Sequence, residues 1–142
     1  MERLKVFREL NELDEEDIRF DDGHSLMEMA QIGTTSDNFE IRIYGGEGYN
    51  AHFHFRHIQS KRKGCIRLDV PEYFKHDGNR DVLTSDEIDS LIVFLNSNNK
   101  EMLENGIELS NYNYLCILWN QNNPLGKKDF SKIEMPDYLK LK

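Results

Sequence analysis

His52 and His54 stand two residues apart in the stretch AHFHFRH. Arg42 and Arg67 lie in the alternating stretches on either side of it, FEIRIY and CIRLDV. On an extended chain, residues two apart share a face and sit about 6.6–6.8 Å from one another. Two imidazoles at that spacing can chelate a metal ion if a neighbouring strand brings a third ligand. Asp69 and Glu40 are the candidates for that place, and His57 has the wrong parity unless a bulge intervenes. The arginines argue against a cation. Arg42, Arg56 and Arg67 share the histidines' parity and repel a dication, whereas guanidinium forks match phosphate or carboxylate. The same groups supply the parts of a metal-independent phosphodiester cleavage, with His52 and His54 as base and acid and an arginine for the developing charge. Tyr44 belongs to the same face. The plainest reading of this face is a charged, solvated sheet surface; if it holds a ligand, that ligand is an anion, with neither a metal nor a cofactor expected.

Other patterns carry less chemistry. Gly45-Gly46-Glu47-Gly48 joins two strands and is followed by no Gly-Lys-Ser/Thr, so it reads as a hairpin turn and not a phosphate loop. G-x-S-x-G, H-E-x-x-H and EF-hand patterns are absent from the sequence. Cys65 and Cys116 form no C-x-x-C and read as buried thiols, not a disulfide framework. Cys65 falls at a strand start with no oriented base in view, so it is not read as a nucleophile.

The elements that must position these residues follow from periodicity. Residues 39–44, 51–57 and 65–70 alternate, with Phe39, Ile41, Ile43, Phe53, Phe55, Ile66, Leu68 and Val70 on one face. Short glycine-bearing connections make them an antiparallel meander, and Pro71 stops it. The stretch 25–33 fits either a helix or a strand and is taken as a fourth strand. Thr84 and Glu87 form a capping box that opens a helix over 84–97, striped by Ile88, Leu91, Ile92 and Leu95. A second helix runs over 110–121 with Leu115, Leu118 and Trp119. A third, over 2–13, precedes an acidic loop. The expected fold is α+β: an antiparallel β-meander of three to four strands, with two to three helices on one face. Residues 1–142 form one domain, comprising an N-terminal helix and acidic loop (1–23), the sheet (24–70), a helical layer (71–124) and an irregular tail (125–142). That tail is tied down by Phe130, Ile133 and Tyr138. Phe53 and Phe55 are expected beneath the helix at 84–97.

At 142 residues with 38% apolar side chains, the chain can bury a core without disulfides. No apolar run is long enough to span a bilayer, and the charged N-terminus has no signal-peptide character, so a soluble cytoplasmic protein without a membrane partner is expected. The net charge of −8 is unevenly spread. Residues 1–40 hold 12 acids and 4 bases, residues 41–80 hold 4 and 8, and residues 81–142 hold 10 and 6. Duplex DNA is thereby disfavoured, while a basic protein partner, or an anion on the central basic segment, is not.

FEIRIYGGEGYNAHFHF, the strand CIRLDV and the two following helices resemble domain of unknown function family 4160 over roughly residues 39–121. Members of that family carry a Pro-His-Phe/Ile-His strand. Here Ala51-His52-Phe53-His54 occupies its place, with alanine for the proline. The resemblance implies a small soluble domain of the kind found as mobile-element or toxin–antitoxin cargo, with His52 and His54 as the positions to test. The favoured function is a protein-interaction or regulatory module of phage, mobile-element or toxin–antitoxin type, and not an enzyme. The alternative is a small nuclease-like phosphodiester hydrolase working from the His/Arg face.

Overall fold

The computed structural model describes residues 29–46, 50–74, 81–132 and 134–142. The expected helix at 2–13 and its acidic loop, residues 25–28, Gly48 and Ile133 lie outside the described residues. Four strands, β1 (Met29–Thr34), β2 (Phe39–Tyr44), β3 (His52–His57) and β4 (Lys63–Arg67), pair in chain order as an antiparallel meander. Helices α1 (Ser85–Asn96), α2 (Lys100–Glu104) and α3 (Asn111–Asn122) follow, and three 3-10 turns close the chain.

The alternation does what it predicts except at Val70, which is half-buried beyond the end of β4. Phe39, Ile41, Ile43, Phe53, Phe55 and Ile66 are buried in one core with Leu68. Glu40, Arg42, His54, Arg56 and Arg67 occupy the alternate positions and are half-buried. The 25–33 stretch resolves to strand from Met29. It contains a bulge: Gln31 pairs with Arg42, but Gly33 already pairs with Ile41. The extra residue lets both Ala30 and Gly33 fall opposite core isoleucines. Gly33 has φ +155°, and a Cβ there would lie 2.9 Å from the Phe94 ring. Glycine is thus required by both conformation and space.

β4 begins two residues earlier than its alternation suggests and ends at Arg67 instead of residue 70. The chain then folds back along β4's outer side. Arg67 N–H donates to the Glu72 carbonyl, Tyr73 bridges to Ile66, and Phe74 N–H donates to the Cys65 carbonyl.

The capping box of α1 is complete: Thr84 Oγ1 accepts from Glu87 N–H at 3.2 Å, and the Glu87 carboxylate accepts from Thr84 N–H at 2.8 Å. Ile88, Leu91 and Leu95 face the core. The segment between the two expected helices contains the short helix α2, capped by Asn99. Asn99 is buried and donates to the Ile32 carbonyl and the Asn111 side chain, while Asn111 donates to the Phe94 carbonyl. Two asparagines thereby tie β1, α1 and α3 together. α3 approaches β1, β2 and α1 and is buried on most of its circumference. Phe53 and Phe55 are fully buried, and the aromatic neighbour of Phe53 is Tyr138 of the last turn, at 6.3 Å. Tyr138 is itself fully buried and donates from its hydroxyl to the Arg67 carbonyl at 2.9 Å, so the tail is part of the core. Among the described residues, no helix is long and apolar enough to cross a membrane.

Candidate functional site

The meander sets the site by register. β3 and β4 form a regular hairpin in which His54 faces Cys65 and His52 faces Arg67. Directly opposed residues of an antiparallel pair share a face, so His52, His54 and Cys65 converge on the side away from Phe53 and Phe55. Cys65 Sγ lies 3.3 Å from His54 Nδ1 and 3.9 Å from Nε2. The two imidazole rings are 5.2 Å apart. One donor atom from each of the three residues falls within 4.8 Å of the others. His52 Nδ1 sits 2.6 Å from the Asn50 carbonyl. A carbonyl only accepts, so Nδ1 carries a proton, and in the neutral ring the lone pair is then on Nε2. Fixing a tautomer through a backbone carbonyl is what metal-ligating histidines do.

The surroundings are aromatic. Phe74 lies 4.5 Å from the His52 ring and Trp119 5.3 Å from it, and Tyr44 meets His54 edge-on at 4.4 Å. His52 is 0% and Cys65 1% exposed, while His54 is half-buried. At this end the charged face of the sheet is therefore no open, solvated surface.

The expected third ligands are engaged elsewhere. Asp69 accepts two bonds from Arg67, at 2.9 and 2.8 Å, and one from Lys128 at 3.3 Å. Burial would raise the Asp69 carboxyl, but these cations outweigh it and hold the group below the usual carboxylate range. Glu40 takes Arg42 at 2.5 Å, and Arg42 also donates to the Tyr44 hydroxyl at 3.4 Å. Arg42, His52, His54 and Arg67 do share one patch, since Arg42 also faces His54. Each of its two arginines is nonetheless closed onto a carboxylate of its own strand or the turn beyond. His57 keeps the opposite parity and packs on Phe39 at 4.9 Å.

Cys65 is the residue that reading the sequence missed. A strand begun at Cys65 hides the register, whereas a hairpin centred on the polar turn at 58–62 puts Cys65 across from His54. The other thiol, Cys116, sits within α3, where burial pushes it up to about 12 despite a hydrogen bond with Tyr112 that lowers it. Cys116 is thus a protonated core thiol.

The chain matches no family model, no curated protein and no solved structure.

Proposed function

We propose that this domain binds a transition-metal ion through His52, His54 and Cys65. The observation that carries the reading is the convergence of two imidazoles and a thiol within 4.8 Å, with the His52 tautomer set by Asn50. Zinc–nitrogen bonds of about 2.0–2.1 Å and zinc–sulfur bonds of about 2.3 Å would put tetrahedral donors roughly 3.3–3.6 Å apart. The objection from the arginines weakens at Arg42, which Glu40 neutralises, while Asp69 pairs with Arg67 and also takes Lys128. The same pairing works against a phosphodiester hydrolase, which needs an arginine directed at the substrate. Metal analysis and equilibrium dialysis of the purified chain test the proposal. One ion per chain is expected, with binding lost in His54→Ala and in Cys65→Ser. Full retention of the ion by both variants, or no ion at all, would refute it.

A second reading is docking of a basic protein partner. It is favoured by the outer face of α1, where Asp86, Asp89 and Val93 are all exposed at helical spacing. Residues 81–110, moreover, hold seven acids against one base. Binding of a lysine-rich apolar peptide that weakens with salt and vanishes in Asp86→Lys/Asp89→Lys supports this reading; binding unaffected by the double substitution removes it.

A further inference from the structure

We propose that the cleft between α3 and the segment that follows it binds a small organic anion with an aromatic body, an aromatic carboxylate being the simplest case. The proposal is independent of the metal reading. The cleft has a volume of about 560 Å³, with Cys116, Ile117 and Asn120 of α3 on one side and residues 127–131 on the other. Small-molecule sites usually measure about 300–1,000 Å³. Its walls are held by backbone groups. Asn120 Nδ2 donates to the Lys128 carbonyl at 2.9 Å, and Asn120 Oδ1 accepts from Lys128 N–H at 2.8 Å. Just ahead of them, Trp119 Nε1 donates to the Gly126 carbonyl at 3.0 Å. These bonds fix residues 126–128 against the helix, so the site is formed before a ligand arrives and little ordering remains to oppose binding.

The lining divides into an apolar part and a cationic part. Ile117 and Phe130 are half-buried and pack against the core, and Cys116, kept protonated by its burial, behaves as a small apolar group beside them. The Phe130 ring gives an aromatic body a partner to stack on or meet edge-on. The charge comes from Lys127 and Lys128. Residues 127–132 hold three lysines against one acid, Asp129, in a chain whose net charge is −8. Asp129 is engaged within its own turn: it accepts from Ser131 N–H at 3.1 Å and from the Ser131 hydroxyl, and it pairs with Lys132 at 3.7 Å. Lys128 reaches Asp69 at 3.3 Å, but Asp69 also takes two bonds from Arg67. Lys127 is exposed. A carboxylate gains charge-assisted hydrogen bonds from such ammonium groups, while its ring covers Ile117 and Phe130.

The experiment titrates naphthoate and its neutral isostere naphthamide into the full chain, followed by calorimetry and by backbone-amide NMR shifts. Naphthoate should bind one per chain, at least about tenfold tighter than the amide, and move the amides of the cleft residues. Lys127→Met, at an exposed position, should weaken naphthoate about 3–10-fold and leave naphthamide within about twofold. Phe130→Ala should weaken both probes by a similar factor, because it removes the contact with the ring and not with the charged group. Each titration is repeated with EDTA, which keeps the carboxylate from binding through an ion on His52, His54 and Cys65. Affinity unchanged by EDTA supports the cleft; affinity lost with EDTA places the anion on the metal and overturns the cleft while the metal reading stands. Equal binding of acid and amide, no effect of Lys127→Met, shifts confined to residues outside the cleft, or no naphthoate binding at millimolar concentration would also overturn it.

Discussion

Tyr138 is the last aromatic of the chain, and its replacement separates two contributions of the tail. Its ring is fully buried beside Phe53, and its hydroxyl donates to the carbonyl of Arg67, the last residue of β4. Tyr138→Phe keeps the ring and leaves the Arg67 carbonyl without that donor, which should cost about 1–2 kcal/mol. Tyr138→Ala also removes the ring from a closed site, where aromatic truncations cost about 3–5 kcal/mol, for about 4–7 kcal/mol in all. At this chain length 1 kcal/mol moves Tm by roughly 3–5 °C. The Phe variant should therefore melt about 3–10 °C below the wild type and the Ala variant at least about 12 °C below it. Thermal melts, paired with urea titrations in which the midpoint falls at constant slope, read both numbers. An Ala variant within about 1 kcal/mol of the wild type would mean that the tail is not part of the core, contrary to the packing argument.

Thr84→Ala should lower stability by about 0.5–2 kcal/mol by opening the capping box, and coincident melts of the two proteins would misplace that helix start. Gly33→Ala should destabilise by more than about 1 kcal/mol, because the added methyl meets the Phe94 ring at a φ that alanine disfavours; an unchanged urea midpoint would contradict the bulge. Burial raises the phenols of Tyr112, Tyr114 and Tyr138. Each is ionised in the unfolded chain above about pH 10 while still protonated in the native one, so stability should be intact below that pH and fall above it, as followed by circular dichroism. The Glu87 carboxyl moves the other way. Its burial opposes the shift, but bonds from Arg62 and Thr84 hold it low, so its share is present at neutral pH and lost as pH falls below about 4. An Arg62→Met variant whose acid unfolding is unchanged would contradict that assignment.

The meander was legible because its strands are half-buried. Each core residue in FEIRIY and AHFHFRH is flanked by a polar one, and a period of two survives only when one face is covered. The capping box was legible for a similarly local reason, since Thr84 and Glu87 satisfy each other's backbone within four residues. What escaped depends on partners far along the chain. Asn99 and Asn111 look like loop and cap residues until β1 supplies the Ile32 carbonyl. Tyr138 looks like a tail residue until Arg67 and Phe53 meet it. The site lies between these cases. The pairing of His52 and His54 on one face follows from parity alone, but Cys65 enters through hairpin register, which depends on where β4 begins. Burial of the histidines was not legible at all, because it comes from Phe74 and Trp119, neither of which belongs to the sheet.

The fold-back of residues 72–74 along β4 also affects how the protein meets its own copies. A sheet's outermost strand offers a row of unsatisfied amides and carbonyls to which a second chain can add, the usual seed of edge-to-edge aggregation. Here the backbone groups of Cys65 and Arg67 on that side are taken by Phe74 and Glu72 of the same molecule. The strand that carries the thiol is therefore withheld as a template for intermolecular pairing. A substitution that loosens the 71–74 segment would expose that template as well as the histidine cluster, linking loss of the site to self-association.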